Sequence, residues 1–121
     1  MKTITVFLIS SMVFFSIAAN HTPGAFTSLN THRQGKGGAE VAWSFSSTNV
    51  TAFTVQRTND DPTDPYSTWV QVACVGCDGS RSYKAHDDKP FPGFVNYRVI
   101  ALMNDQSTVT SQVSVLHIAA H

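Results

Sequence analysis

The sequence predicts an all-β protein folded as an antiparallel β-sandwich of about seven short strands. Along most of the chain, apolar residues alternate with polar ones at the period of two that a half-buried strand requires. Clusters of Gly, Pro, Asn and Asp separate these runs at spacings of about 8 to 12 residues, which is typical of a sandwich. No capped apolar pattern of helical period extends beyond about two turns, so helices are not expected.

The alternation is clearest in two neighbouring segments, AEVAWSFSS and VTAFTVQR. In the first, Val41, Trp43 and Phe45 share one face of the predicted strand, and small or polar residues share the other. In the second, Phe53 and Val55 occupy the apolar face in the same way. Because side chains alternate across a strand, these apolar faces are expected to turn towards one core.

Four further strands are predicted in TWVQVACV, RSYKAHD, FVNYRVIALMN and VTSQVSVLHIAA. The longest, FVNYRVIALMN, places Val95, Tyr97 and Val99 on one face and Arg98 and Ile100 on the other. Both faces are largely apolar towards its end, which favours a central position in a sheet. The large inward residues of all these strands are expected to form the core, namely Trp43, Phe45, Phe53, Tyr97 and Val99.

The first 19 residues have the composition of a secretory signal peptide. Lys2 is followed by an apolar run from Ile4 to Ile17 and then by small residues, so cleavage is expected near Ala19 or Asn20. A membrane anchor is the alternative, but anchors usually need about 20 apolar residues and charged flanks. We therefore predict a secreted or periplasmic protein with no stable membrane anchor after cleavage.

The remaining chain has the usual length of a single domain. We predict an N-terminal lead-in over residues 20–37, with one short strand around Ala25 to Leu29, and a β-sandwich over residues 38–121. Loss of Lys2 leaves seven basic residues against eight acidic ones, from eight of each in the whole sequence. This balance gives no reason to expect a nucleic-acid partner or an anionic membrane surface.

Both cysteines of the protein lie in one C-x-x-C motif, Cys74 and Cys77. A thioredoxin-like role would place the first cysteine at a helix N-terminus, whereas here a strand precedes the pair and the turn signal Asp78-Gly79-Ser80 follows it. Zinc would need four ligands, and there is no second cysteine pair. In an oxidising compartment a Cys74–Cys77 disulfide is favoured, with free or regulatory thiols and a metal site as the alternatives.

No catalytic signature stands out, so the protein is not expected to be an enzyme. There is no G-x-S-x-G motif, and Glu40 is the single glutamate. Asp87 and Asp88 are adjacent and would point to opposite faces of a strand. The loop around Asp61 and Asp64 has oxygen ligands that calcium would accept, but it lacks EF-hand spacing, and solvated turn aspartates are the favoured interpretation. No metal and no cofactor are predicted.

The order of these segments resembles a fibronectin type III or closely similar immunoglobulin-like domain. EVAWSF places a Trp on the second strand, FTVQRTND resembles the third, WVQVACV the next, and NYRVIALMNDQSTVTSQVSV the last two. The resemblance covers about Gly38 to Ile118, and these segments are similar to sandwich domains attached to many secreted bacterial proteins. It implies recognition of an unknown protein or glycan by sheet faces, an open edge strand or end loops.

The loop from Asn59 to Ser67 and the residues after it carry the candidate binding residues, Tyr66 and Trp69. Exposed aromatic side chains beside polar groups are common recognition elements, although Trp69 could instead pack under the loop. The main hypothesis is therefore a secreted, non-catalytic β-sandwich that binds protein or glycan. The alternatives are a thiol-disulfide redox protein that uses the C-x-x-C pair and a structural envelope or matrix component that pairs through its edge strands.

Overall fold

The computed structural model describes residues 25–35, 37–88 and 90–119. Within these residues the chain forms eight β-strands and no helix. The strands are β1 (Phe26–Gln34), β2 (Gly38–Phe45), β3 (Val50–Thr58), β4 (Val70–Gly76), β5 (Ser82–Asp87), β6 (Gly93–Met103), β7 (Thr108–Thr110) and β8 (Ser114–Ile118). The all-β prediction is confirmed.

The strands form two antiparallel sheets in a sandwich-like arrangement. One sheet has three strands in the order β1-β2-β5. The other has five: β4, β3 and β6 lie side by side, and both β7 and β8 pair with the second edge of β6. The central position predicted for FVNYRVIALMN is therefore confirmed, because β6 has partners on both edges.

The core lies between the two sheets and is built by the predicted alternation. Phe53 from β3 is at its centre, and its ring centroid is 5.3 Å from that of Phe45, 5.5 Å from that of Trp43 and 4.6 Å from that of Tyr83. Since the partners of Phe53 come from the opposite sheet, these ring contacts join the two layers. The five predicted core residues are all buried: Trp43, Phe45, Phe53, Tyr97 and Val99.

A polar network also joins the sheets near one end of the sandwich. Asp87, the last residue of β5, accepts hydrogen bonds from Arg57 Nη1 on β3, at 2.5 Å to Oδ1 and 2.7 Å to Oδ2. The Tyr97 hydroxyl on β6 donates to Asp87 Oδ2 at 2.8 Å. Burial and the bond to this carboxylate raise the pKa of Tyr97. The buried carboxylate is thus held by two donors from the other sheet.

The N-terminal part of the sandwich differs from the prediction. β1 runs from Phe26 to Gln34 and pairs with β2 along its length, so half of the segment assigned to a lead-in belongs to the three-stranded sheet. A register shift between Phe26 and Ser28 interrupts the period of two, which explains why the sequence indicates only a short strand here. The predicted signal peptide lies outside the described residues.

The C-terminal segment, predicted as one strand, is divided by Ser111. The Ser111 hydroxyl accepts a hydrogen bond from the Val99 amide at 2.8 Å and donates one to the Gln112 carbonyl at 2.8 Å. Because this side chain takes the place of a strand partner, the ladder beside β6 is broken between β7 and β8.

The described part of the chain contains no helix with the length and apolar character that a membrane-spanning helix needs.

Candidate functional site

The candidate site is the surface of the five-stranded sheet that faces away from the core, here called the outer face. Residues that alternate with the buried positions of β3 and β6 project there, and β4 adds its own outward residues in register. The outward residues of these three strands include Thr54, Gln56, Gln71, Cys74, Arg98 and Ile100.

Trp69 lies over Arg98 on this outer face. Gln71 of β4 is opposite Gln56 of β3, and Gln56 is opposite Arg98 of β6, so this row of the sheet leads directly from β4 to Arg98. Trp69 is two residues before Gln71, and its ring centroid is 3.9 Å from Arg98 Cζ. This distance is a cation–π contact. The Arg98 guanidinium therefore covers one face of the indole, which is half-buried.

The Arg98 guanidinium is held in place from the side by an amide. Its Nε donates to Gln56 Oε1 at 2.8 Å, across the β3–β6 pair. Partial burial lowers the pKa of Arg98, although an arginine retains its charge at any physiological pH. Trp69, Arg98 and Gln56 therefore form a fixed unit in which an aromatic ring, a cation and an amide are adjacent.

Tyr66, the second predicted binding residue, does not join this unit. It is 91% exposed in the loop between β3 and β4, whereas Trp69 packs on Arg98. The loop is folded by its own aspartates: Asp61 Oδ1 accepts from the Thr63 amide at 2.9 Å and its hydroxyl at 2.7 Å, and Asp64 Oδ1 accepts from the Tyr66 amide at 2.9 Å. The hydrogen bonds from Thr63 lower the pKa of Asp61. These carboxylates act as turn formers in the described loop.

The predicted Cys74–Cys77 disulfide is not formed, and both cysteines are free thiols. The strand continues further than the sequence indicates: Cys74 pairs with Thr54 within β4, and the Cys77 amide still donates to the Thr51 carbonyl at 3.0 Å. Three residues along a strand span about 10 Å, which exceeds the roughly 7 Å limit between bridged Cα atoms. An odd spacing also places the two side chains on opposite faces. Cys74 is exposed, and Cys77 packs against the core, 3.3 Å from the Tyr83 hydroxyl.

We expect two titratable thiols in the purified, non-reduced protein, of which only Cys74 reacts rapidly before unfolding. The physical reason is exposure, because Cys74 lies on the outer face and Cys77 is half-buried beside Tyr83. The measurement is a timed reaction with a chromogenic disulfide reagent in native and denaturing buffer. Cys74→Ser should remove the rapid phase alone. Absence of any free thiol in denaturant would show that the sequence-based disulfide prediction was right.

A second polar cluster occupies the outward surface of the three-stranded sheet. His32 Nε2 is 2.6 Å from Glu40 Oε1, and Lys84 Nζ is 4.0 Å from Glu40 Oε2. His32 is the cross-strand partner of Glu40 on β1, and Lys84 lies diagonally across from it on β5. No group of three His, Cys, Asp or Glu side chains in the described ranges is arranged to hold a metal ion.

The sequence suggested Trp69 as a candidate but gave no indication of its contact with Arg98 or of the bond between Arg98 and Gln56. The period of two placed Arg98 on the outward face of β6, which is the one usable signal. Gln56 and Arg98 are 42 residues apart in the chain, and their contact depends on the register of two strands. The β3–β4 register includes a bulge between Val55 and Gln56, which the sequence does not reveal.

Comparison with known proteins gives structural neighbours only. A scan against protein-family models finds no match, and neither does a search of curated proteins. The pectate lyase PelI from Erwinia chrysanthemi, solved in complex with tetragalacturonic acid, is similar over 76% of this chain with a TM-score of 0.59 and 18% identity. The pectate lyase Pel3 from Pectobacterium carotovorum is similar over 80%, with a TM-score of 0.57 and 16% identity.

A third neighbour is matched over almost its whole length. It is a myokine structure, similar over 81% of this chain and 99% of its own, with a TM-score of 0.53 and 14% identity. By contrast, the match spans only 28% of each pectate lyase. At these identities the likeness concerns the fold alone.

Proposed function

We propose that this protein is a secreted, non-catalytic β-sandwich module of fibronectin type III character that binds a glycan on the outer face of its five-stranded sheet. The observation that carries the proposal is the contact between the indole of Trp69 and the guanidinium of Arg98, which lies against one face of the ring. Rigid, amphipathic aromatic side chains beside hydrogen-bonding groups are suited to the apolar face and hydroxyl edge of a sugar ring.

The groups around the indole support this choice of ligand. The side-chain oxygen of Gln56 accepts the hydrogen bond from Arg98, and its amide N–H groups take no part in that bond. Gln71 is exposed next to Gln56 in the same row. Thr54 and Ile100 continue the face beyond Arg98, so a polar row adjoins a partly apolar one. A flat surface of this kind fits an extended sugar chain better than a small enclosed molecule.

Two of the structural neighbours support the choice of a glycan as the proposed ligand. Both are pectate lyases, and one was solved with a galacturonic acid tetramer. The match spans 28% of each lyase, and the role proposed for this chain is that of a binding module.

The free thiols do not favour the redox alternative. An internal dithiol–disulfide cycle needs two sulfur atoms that can bond to each other, and Cys74 and Cys77 face opposite sides of the β4 edge. Cys74 is moreover on a strand, without the helix N-terminus that activates such thiols.

Replacement of Trp69 by Ala should weaken glycan binding by about 30-fold, because a central aromatic anchor is commonly worth about 2 kcal/mol. The measurement is calorimetric titration of the mature protein with a panel of acidic and neutral plant and bacterial oligosaccharides. Tyr66→Ala is the matched control, since Tyr66 is exposed in the same loop region and lies outside the Trp69–Arg98 contact. Equal losses in the two variants, or no binding of any glycan by the unaltered protein, would contradict the proposal.

A further inference from the structure

Arg98 is a partly buried cation that has no anionic partner among the described residues. The ion pairs in the described part of the chain are His32–Glu40, Arg57–Asp87 and Lys84–Glu40, and none of them includes Arg98. Its hydrogen bond goes to the neutral amide of Gln56 through Nε. The terminal guanidinium nitrogens therefore have no carboxylate among the described residues.

This situation differs from that of Arg57, the other half-buried arginine on the same sheet. Arg57 donates twice to Asp87, which neutralises its charge. Buried and half-buried charges in proteins are normally paired in this way, because an uncompensated charge loses hydration without a replacement. Loss of hydration is also what lowers the pKa of Arg98. An external anion would supply the missing partner.

We propose that the ligand of the outer face is an acidic glycan whose uronic acid carboxylate is bound by the terminal nitrogens of Arg98 while its sugar ring stacks on Trp69. This inference rests on the proposed glycan-binding function and names the chemical class of the ligand. A guanidinium matches a carboxylate with two parallel N–H···O bonds between opposite charges, whereas a neutral sugar offers only uncharged acceptors. The outer-face residues named above include no acidic side chain that would repel such a ligand.

Two ligands with the same backbone test the inference: oligogalacturonate and its fully methyl-esterified form, which lacks the charge. We expect the unaltered protein to bind the acid at least tenfold more tightly than the ester, and Arg98→Gln to bind the two with nearly equal affinity. Trp69→Ala should weaken both ligands and leave their ratio unchanged. Arg33→Gln is the matched control, because Arg33 is exposed on β1 of the other sheet, and it should keep the tenfold preference.

The ratio of the two affinities is the decisive quantity. If Trp69 becomes less ordered in the Arg98→Gln variant, binding of the acid and of the ester should weaken alike, and the ratio should not change for that reason. Arg98→Lys keeps the charge and loses the forked geometry, so it should keep only part of the preference. Equal binding of acid and ester by the unaltered protein would overturn the inference and leave the proposed function standing. Equal or tighter binding of a sulfated dextran would overturn the assignment to uronic acids, and no binding of either pectic ligand would overturn both proposals.

Discussion

Replacement of Asp87 by Ala is expected to lower the free energy of unfolding by about 4 kcal/mol. Asp87 is buried between the sheets and accepts hydrogen bonds from Arg57 and Tyr97, both of which belong to the opposite sheet. Its removal leaves a half-buried guanidinium without a counter-ion and a buried hydroxyl without an acceptor, and breaking a buried pair in this way costs about 3–5 kcal/mol. The measurement is urea unfolding at neutral pH.

Asp88→Ala is the matched control for this variant, because Asp88 is the next residue and is exposed. Its effect should remain within about 0.5 kcal/mol. A loss below about 1 kcal/mol in Asp87→Ala would show that the network contributes little to joining the sheets. In that event other contacts, such as the ring contacts around Phe53, would hold the two layers together.

The same network gives the stability a dependence on alkaline pH. The Tyr97 pKa is raised above its ordinary value of 10.0 by burial and by the bond to Asp87, so the folded state retains its proton where the unfolded state loses it. The stabilisation is therefore complete below about pH 10 and falls as the pH rises above that value. Burial and the Cys77 thiol raise the pKa of Tyr83 to about 12, with the same sign. Tyr97→Phe should reduce the alkaline slope, whereas an unchanged slope would contradict this assignment.

Replacement of Phe53 by Ala is expected to cost a further large amount, about 3–5 kcal/mol, which is usual for truncation of a fully buried Phe. Phe53 is 0% exposed and contacts Phe45, Trp43 and Tyr83 from the other sheet. The loss combines the transfer free energy of the ring with the cavity left between the layers. Thermal and urea unfolding measure it.

Phe94→Ala removes the same atoms from an exposed position and is the control for Phe53→Ala. Phe94 is 67% exposed and contacts His117 at the edge of β8, so its truncation should change the stability by less than about 1 kcal/mol. If Phe53→Ala does not fold, Phe53→Leu provides the measurement with a smaller loss. Equal effects of Phe53→Leu and Phe94→Leu would show that Phe53 is not at the centre of the core.

The parts of the fold that depend on the period of two could be predicted from the sequence. Val41, Trp43 and Phe45 alternate with small or polar residues, and all three are buried in β2. The three residues of β6 that share the inward face with Tyr97, namely Val95, Val99 and Ala101, are likewise buried. Alternation is a local property of an extended chain, so it needs no knowledge of which strands are neighbours.

The features that depend on strand partners could not be predicted in this way. Arg57 follows the inward period of β3, but its carboxylate partner Asp87 is 30 residues further along the chain and on the other sheet. The disulfide prediction failed for a related reason. The turn residues after Cys77 suggested a tight loop at the motif, whereas pairing with β3 keeps the chain extended past Cys74.

Only some of the residues on the outer face were candidates from the sequence. Composition of the loop indicated Tyr66 and Trp69 together, because both are aromatic and lie close in sequence. The structure separates them, since only Trp69 has a cation beneath it. The pairing of β6 with β3 and of β3 with β4 brings that cation beneath Trp69. The sequence alone does not reveal these pairings.

The most direct test of glycan recognition by the outer face is an amide NMR titration of isotope-labelled protein with oligogalacturonate. The predicted result is a saturable change in the indole N–H signal of Trp69 and in the signals of Arg98, Gln56 and Gln71, which lie together on the five-stranded sheet. Signals from the outward surface of the three-stranded sheet, such as that of Lys84, should remain unchanged. Changes confined to that second sheet, or no change at any concentration of ligand, would contradict the proposed function.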